Sequence, residues 1–272
     1  MRGSSGARII IGEDHVMKFD VHRTGTRVRE QGIWLRNHES KLLPEVKAIH
    51  ADGYTMEKLV DRPLPRTVED VRTGCELLLD NLPSLWKWNT ATPYIIKMHA
   101  QTHHSYVDGL LRDVDLRELR KELRQIFNRV FWPNLKVART HGDPLIDNTM
   151  FRPVEGNRTG MMNPVVIDPI PATPALPHLE VVDVGRIIQS AVGYEWTRYD
   201  IGPHDVITVS EAVDHVVNTW QSDHFSMHNV TGALYFSIIH MLRGIRTAPE
   251  SKQPGLIALV YELLEEVHRW TR

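Results

Sequence analysis

The chain has 272 residues, 32 Lys+Arg against 34 Asp+Glu, and 42% hydrophobic residues. A formal charge of −2 argues against a dedicated nucleic-acid-binding module, which carries a basic excess to meet phosphates, and no apolar run approaches the roughly 20 residues of a membrane span. Cys75 is the single cysteine, which leaves no internal disulfide or multi-cysteine zinc site; with only three isoleucines after the opening residues, too few for a secretory signal, the expected location is the cytoplasm.

Residues 8–12 and 15–20 are short runs rich in Ile and Val on either side of Gly12-Glu13-Asp14, which predicts a β-hairpin. Residues 27–43 set Val28, Gln31, Ile33, Trp34 and Leu35 among charges, a helical pattern that stops before Pro44. Residues 44–49 and 54–59 read as two more strands around Asp52-Gly53. A small mixed sheet with one helix thus fills the first 60 residues, and beyond Pro63 and Pro65 helical patterns take over. Residues 115–130 place Leu116, Leu119, Leu123, Ile126, Phe127 and Val130 on one face, with Arg117, Arg120, Lys121 and Arg124 on the other, a solvated surface. Residues 207–220, 230–245 and 255–270 repeat the helical pattern, whereas the proline-rich 169–177 should run extended. The reading is α+β, with a sheet domain over 1–60, a hinge at about 56–62 and a mainly helical domain over 61–272.

The most informative stretch is His141-Gly142-Asp143-Pro144-Leu145-Ile146-Asp147-Asn148. In phosphoryl transfer an aspartate accepts the proton of the attacking hydroxyl, and an asparagine five residues on holds a magnesium ion. The same wording also fits an Asx-turn without catalytic duty. Pro164-Val165-Val166-Ile167-Asp168 is a β-branched run ending in a carboxylate, which a hairpin returning beside Asn148 would supply; Asn148 and Asp168 together offer hard oxygen ligands for Mg²⁺. Read alone, Asp168 is a strand-end residue opening a turn before Pro169. Val16-Met17-Lys18-Phe19 puts a lysine inside an apolar strand, an awkward place unless its ammonium finds an anion, though an edge-strand lysine can also snorkel to the surface.

Taken in order, Lys18, a helix carboxylate at Glu30, a hinge near Glu57, Asp143 with Asn148, Asp168 and then Asp183 resemble the aminoglycoside phosphotransferase and choline kinase superfamily. Ile167-Asp168-Pro169 and residues 183–195 look most like its members associated with sugar and capsule metabolism. The resemblance implies a two-lobed protein-kinase-like fold, with ATP and Mg²⁺ as cofactors and a small-molecule hydroxyl of the sugar, aminoglycoside or amino-alcohol type as acceptor. In that frame Lys18 holds the phosphates and Glu30 steadies it, with Glu39 as a rival. Met56, Glu57 and Leu59 flank the adenine through their backbone, Asn148 and Asp168 bind the metal, Asp143 is the catalytic base, and Asp183 buttresses the catalytic loop.

Several features depart from protein kinases. Only Gly3-Ser4-Ser5-Gly6 offers a glycine-bearing cap for the phosphates, Pro169-Ile170 replaces Phe-Gly after Asp168, Gly142 replaces the arginine that senses an activation-loop phosphate, and no Ala-Pro-Glu follows. These absences favour a small-molecule kinase over a protein kinase of the same fold; the other alternative, a pseudokinase scaffold that binds nucleotide or protein without transfer, is opposed by the presence of all four polar groups and favoured by the sparse phosphate cap. His99 and His103 stand four apart on a helix, but Ala100 occupies the place where a zinc protease needs Glu, so they read as packed or solvated histidines. Trp196 is a candidate for stacking on a sugar, and His178, Glu195, Asp200 and Asp205 are polar groups open to an acceptor. Neither nucleic acid nor membrane is an expected partner.

Overall fold

The computed structural model describes residues 7–21, 26–38, 40–60, 68–85, 93–130, 132, 135, 137–153, 162–171, 179–194, 207–219 and 227–271. Within them the chain forms two compact units, one of Met1–Pro63 with Asn148–Pro171, the other of Leu64–Asp147 with Ala172–Arg272. The first unit therefore takes in residues 148–171, a segment that the sequence reading leaves with the helical part. His178, Glu195, Trp196, Asp200 and Asp205, like Glu39 and residues 1–6, lie outside the described residues.

The first unit is built on a four-stranded antiparallel sheet in the order β1-β2-β4-β3, with β1 over Arg8–Ile11, β2 over His15–Phe19, β3 over Val46–Ile49 and β4 over Gly53–Glu57. The expected hairpin is present: Ile9 to Ile11 supply β-branched residues, and the Gly12 N–H closes the turn on the His15 carbonyl at 2.9 Å. Strand β2 pairs with β4 so that Lys18 lies opposite Tyr54. Helix α1, Arg27–Asn37, packs its buried face of Val28, Gln31, Gly32, Trp34 and Leu35 on the sheet. Its approach depends on Gly32, because a Cβ there would come within 2.6 Å of the Tyr54 side chain.

The helix ends at Asn37, six residues before the end that the sequence pattern suggests. His38 leaves the helical conformation at φ −122° and ψ 64°, with its N–H on the Leu35 carbonyl and its Nδ1 meeting the Trp34 carbonyl at 2.6 Å, and the segment beyond it is held by other parts of the unit. The Val166 N–H donates to the Leu42 carbonyl at 2.8 Å, and the Arg152 guanidinium donates to the carbonyls of Lys41 and Leu43 at 2.8 and 2.9 Å. Leu42 and Leu43 are still buried, so the apolar periodicity survives without the helix. Strands β5, Thr149–Pro153, and β6, Met162–Val166, form a two-stranded antiparallel sheet with Thr149 opposite Val166, and Val60 bridges to Phe151.

The second unit contains helices α2 (Val68–Asn81), α3 (Pro93–Asp113), α4 (Leu119–Arg129), α5 (Glu180–Gln189), α6 (Val209–Thr219), α7 (Met227–Ile245) and α8 (Gln253–Trp270). Helix α4 starts four residues later than its apolar pattern because Asp115 adopts a left-handed φ of 53° and closes α3 first. Thr208 and Glu211 form a capping box at the start of α6, with the Glu211 N–H on Thr208 Oγ1 at 3.2 Å and the Thr208 N–H on Glu211 Oε2 at 3.0 Å.

All ten residues of α5 are buried, and it lies along α7. At Gly185 the two backbones meet so closely that a Cβ would come within 2.6 Å of the Ala233 carbonyl oxygen and 2.8 Å of the Ser237 nitrogen. This close contact fixes the rotation of α5, and with it the direction in which Asp183 and Arg186 point. His103 is a packed histidine: it is buried, bonds the Tyr235 hydroxyl at 2.5 Å and lies among Phe127, Tyr235 and Phe236. Among the described residues no cluster of three or more metal-ligating side chains occurs, and no helix is long and apolar enough to cross a membrane.

Candidate functional site

The sheet unit brings Lys18 and Asp168 together across 150 residues of sequence. Lys18 is only 2% exposed, and its Nζ donates to Asp168 Oδ1 at 2.5 Å and to Gln31 Oε1 at 3.2 Å. A buried ammonium is costly unless paired and hydrogen-bonded, so these two acceptors account for a lysine in an apolar strand. Gln31 is a bridge as well as an acceptor, since its Nε2 donates to the Pro169 carbonyl at 2.9 Å. Asp168 sits just beyond β6 with a left-handed φ of 61°, a conformation that aspartate tolerates better than most residues. Tyr54 lies beside this group; burial, and then the Asp168 charge, push its phenol well above its ordinary range, and its buried hydroxyl has no hydrogen-bond partner among the described residues.

The lysine's expected partner is corrected here. Glu30 is exposed and accepts the Thr26 hydroxyl at 2.8 Å at the start of α1, where a carboxylate also complements the helix dipole. A helix turns by about 100° per residue, so Gln31, one step further on, faces the sheet in its place.

Asn148 neighbours Asp168 through the backbone, because the Ile167 N–H donates to the Asn148 carbonyl at 2.8 Å. An amide oxygen and a carboxylate on neighbouring backbone positions suit Mg²⁺, which prefers oxygen ligands and takes the rest of its shell from phosphates and water. These two residues therefore fit the metal that the sequence implies, with Asp168 committed to Lys18 in the structure as it stands.

Of the hinge residues, Met56 and Leu59 are buried at 5% and 7% exposure, and Glu57 is engaged through its side chain. Its carboxylate receives two bonds from Arg152 and the Glu45 N–H at 2.7 Å. Burial alone would raise the Glu57 carboxyl, but the Arg152 and Glu45 hydrogen bonds and the charges of Arg152 and Lys47 outweigh it and leave it below its ordinary value. The Glu57 side chain thus ties β4 to β5, and its N–H is taken by the Glu45 carbonyl at 2.9 Å.

In the helical unit, α5 holds the loop that carries Asp143. Asp183, fully buried, accepts the N–H groups of His141 at 2.9 Å and Gly142 at 2.7 Å, one on each carboxylate oxygen, which is the buttress that the sequence suggests. One turn further along, the Arg186 guanidinium pairs with Asp143 Oδ1 and also bonds Gln189 Oε1. Ser190 Oγ then accepts the Ile146 N–H at 3.1 Å. Asp183, Arg186 and Ser190 fall three and four residues apart, so one helix face grips the loop at three points. His240, packed below on α7, is fully buried; burial first, then the Arg186 and Arg243 charges, hold its imidazole well below its ordinary value and so neutral. Its Nε2 meets the Val182 carbonyl at 3.2 Å, and its own carbonyl accepts Gln189 Nε2 at 3.1 Å.

Gln31, Arg186, Gln189 and Ser190 escaped the sequence reading. Arg186 carried a usable signal, since it is the single cation in the otherwise apolar Val181 to Ile188, three residues after the acidic Asp183. Gln31 occupies the apolar stripe of α1, three residues from both Val28 and Trp34, a position that marks a polar side chain aimed inward.

The sequence matches no protein-family model and no curated protein. Solved structures do resemble it. Plasmodium vivax ethanolamine kinase is 15% identical over 96% of this chain and 81% of its own, with a TM-score of 0.52. The gentamicin–APH(2″)-IIa complex is 13% identical over 97% of this chain and 89% of its own, TM-score 0.49. An aminoglycoside phosphotransferase from Alicyclobacillus acidocaldarius is 12% identical over 96% of this chain and 92% of its own, TM-score 0.44. At such identities the likeness is one of fold, and the ethanolamine kinase match carries it: the chain has a kinase-like fold. That is the fold of the aminoglycoside phosphotransferase and choline kinase superfamily, which the order of its motifs resembles.

Proposed function

We propose that this protein is an ATP- and Mg²⁺-dependent phosphotransferase that moves the γ-phosphate of ATP to a hydroxyl of a small molecule. The observation that carries the reading is the meeting of Lys18, a buried cation in an apolar strand, with Asp168, a carboxylate 150 residues further along the chain. Lys18 is assigned to the α- and β-phosphates, and Asn148 and Asp168 to the metal, which when bound neutralises charge on the β- and γ-phosphates. Glu30 is left out of the lysine's shell, and Met56, Glu57 and Leu59 keep a part in nucleotide binding only through backbone groups other than the Glu57 N–H, which the Glu45 carbonyl takes.

Asp143 is assigned to the acceptor. It orients the acceptor hydroxyl and takes its proton as the oxygen bonds to the γ-phosphorus and the bond to the bridging β-γ oxygen breaks, releasing ADP. Arg186 holds the carboxylate in one orientation, so that positioning carries the effect. A neutral Gln31 beside the lysine is the one observation that favours the alternative, a scaffold that binds nucleotide without transfer.

Phosphorus NMR of ATP and Mg²⁺ with a panel of amino-alcohols, sugars and aminoglycosides tests the proposal. Appearance of ADP with a new phosphomonoester, absent in Asp143→Asn, is the expected result. Nucleotide binding with no transfer to any acceptor would favour the scaffold, and no nucleotide binding at all would overturn both.

A further inference from the structure

Around the deeply buried Lys18 in the first unit the charges balance at one cation and one anion, with none to spare. Its two acceptors are a neutral amide, Gln31, and a single carboxylate, Asp168, and its side chain is only 3% exposed. Gln31 cannot take over the charge, and it is held in place by its second bond, to the Pro169 carbonyl next to Asp168. Glu30, the nearest carboxylate along the helix, faces solvent and is engaged by Thr26. Asp168 thus has two calls on it: as the lysine's counter-ion and, on the reading above, as a metal ligand.

We propose that Gln31 makes the Lys18–Asp168 pair a charge lock, so that a divalent cation and a nucleotide polyphosphate bind together and each only weakly alone. A cation that draws Asp168 away strands a buried ammonium beside an uncharged amide, a state the interior disfavours strongly. A polyphosphate alone brings its negative charge against an Asp168 that the metal has not neutralised. When both enter, the phosphate replaces Asp168 at Lys18 and Asp168 turns to the metal, so every charge is matched. A glutamate at position 31 would supply the lysine with a second anion, release Asp168 and weaken this coupling.

The inference rests on the assignment of Asp168 and Lys18 to metal and phosphate, and the test reads the metal without the nucleotide. Mn²⁺ binding is titrated by electron paramagnetic resonance on the wild type, Gln31→Glu, Lys18→Met and Arg29→Gln, each first checked for a cooperative melt. Arg29→Gln lowers the charge of exposed α1 by the same one unit as Gln31→Glu and so controls for simple surface electrostatics. The lock predicts weak Mn²⁺ binding to the wild type and to Arg29→Gln, and about tenfold tighter binding to Gln31→Glu, within the usual range of coupling between sites.

Lys18→Met should also bind Mn²⁺ more tightly, which keeps the test open if Gln31→Glu fails to fold, because its carboxylate would face the Pro169 carbonyl. In the wild type, adding ADP should tighten Mn²⁺ by about tenfold or more, and in Gln31→Glu by clearly less. Equal Mn²⁺ affinity in all four proteins, or no Mn²⁺ binding in any, would overturn the lock. Failure of ADP to bind with or without Mn²⁺ would instead overturn the phosphotransferase reading, with the metal titrations still deciding the lock.

Discussion

The sheet unit and the helical unit each hold one key carboxylate, and they hold it in opposite ways. Asp143 stands on a loop gripped at three points by α5 and its capping residue, through Asp183, Arg186 and Ser190, all of them buried. Asp168 stands on a left-handed residue at the end of a two-stranded sheet, with 26% of its side chain exposed and its hydrogen bond shared with one lysine. The first arrangement suits a group that must not move during a reaction. The second suits a group that exchanges partners when a ligand arrives, because a single ion pair is easily replaced by another of equal charge.

The contrast can be broken at either end. The largest expected effect is on turnover. Asp143→Asn keeps the shape of the side chain and removes the charge that Arg186 faces, and should lower kcat by about 10²- to 10⁴-fold, the usual worth of a positioned general base, while ADP affinity by calorimetry stays within a factor of about two.

Next is the brace itself. Asp183→Ala leaves the His141 and Gly142 N–H groups buried without their acceptor, at about 1–3 kcal/mol each, so urea unfolding should show a loss of about 2–6 kcal/mol. A change under about 1 kcal/mol would mean that the loop is held elsewhere. Arg186→Lys keeps the charge but not the planar fork, and should lower kcat about tenfold with KM for ATP unchanged; an equal rise in KM would assign Arg186 to the nucleotide instead.

The smallest effect is a pH slope. His240 is held neutral in the folded state, whereas in the unfolded chain it titrates near its ordinary value of 6.5. Below that pH the unfolded chain takes up a proton that the native state refuses, so stability falls as pH falls, by at most about 1.4 kcal/mol per pH unit. Denaturant unfolding between pH 7 and 5.5 should therefore show a shallower slope for His240→Asn than for the wild type.

The parts of this arrangement differ in how plainly the sequence shows them. The strands of the first unit, the run ending at Asp168 and the loop from His141 to Asn148 are legible because each is a local signal, a β-branched run or a fixed spacing. Lys18 is legible through its misfit with an apolar strand. The choice between Glu30 and Gln31 is not local: it depends on where α1 starts and on the contact of Gly32 with Tyr54, both set by packing. The helix stops at the His38 cap, and the carbonyls of Lys41, Leu42 and Leu43 are taken by Arg152 and β6, more than a hundred residues away, contacts that no local pattern shows. Arg186 lies in a mostly apolar helix, where a lone cation three residues after Asp183 is itself a sign of a buried anion.

Calorimetry of Mg·ADP on Asp168→Ala and Asp143→Asn side by side tests the division of labour most directly. The account predicts that Asp168→Ala loses Mg·ADP affinity by about a hundredfold or more, in line with loss of one of two protein ligands to the metal, while Asp143→Asn binds as the wild type does and fails to turn over. Equal loss of affinity in both variants, or undiminished affinity in Asp168→Ala, would contradict it.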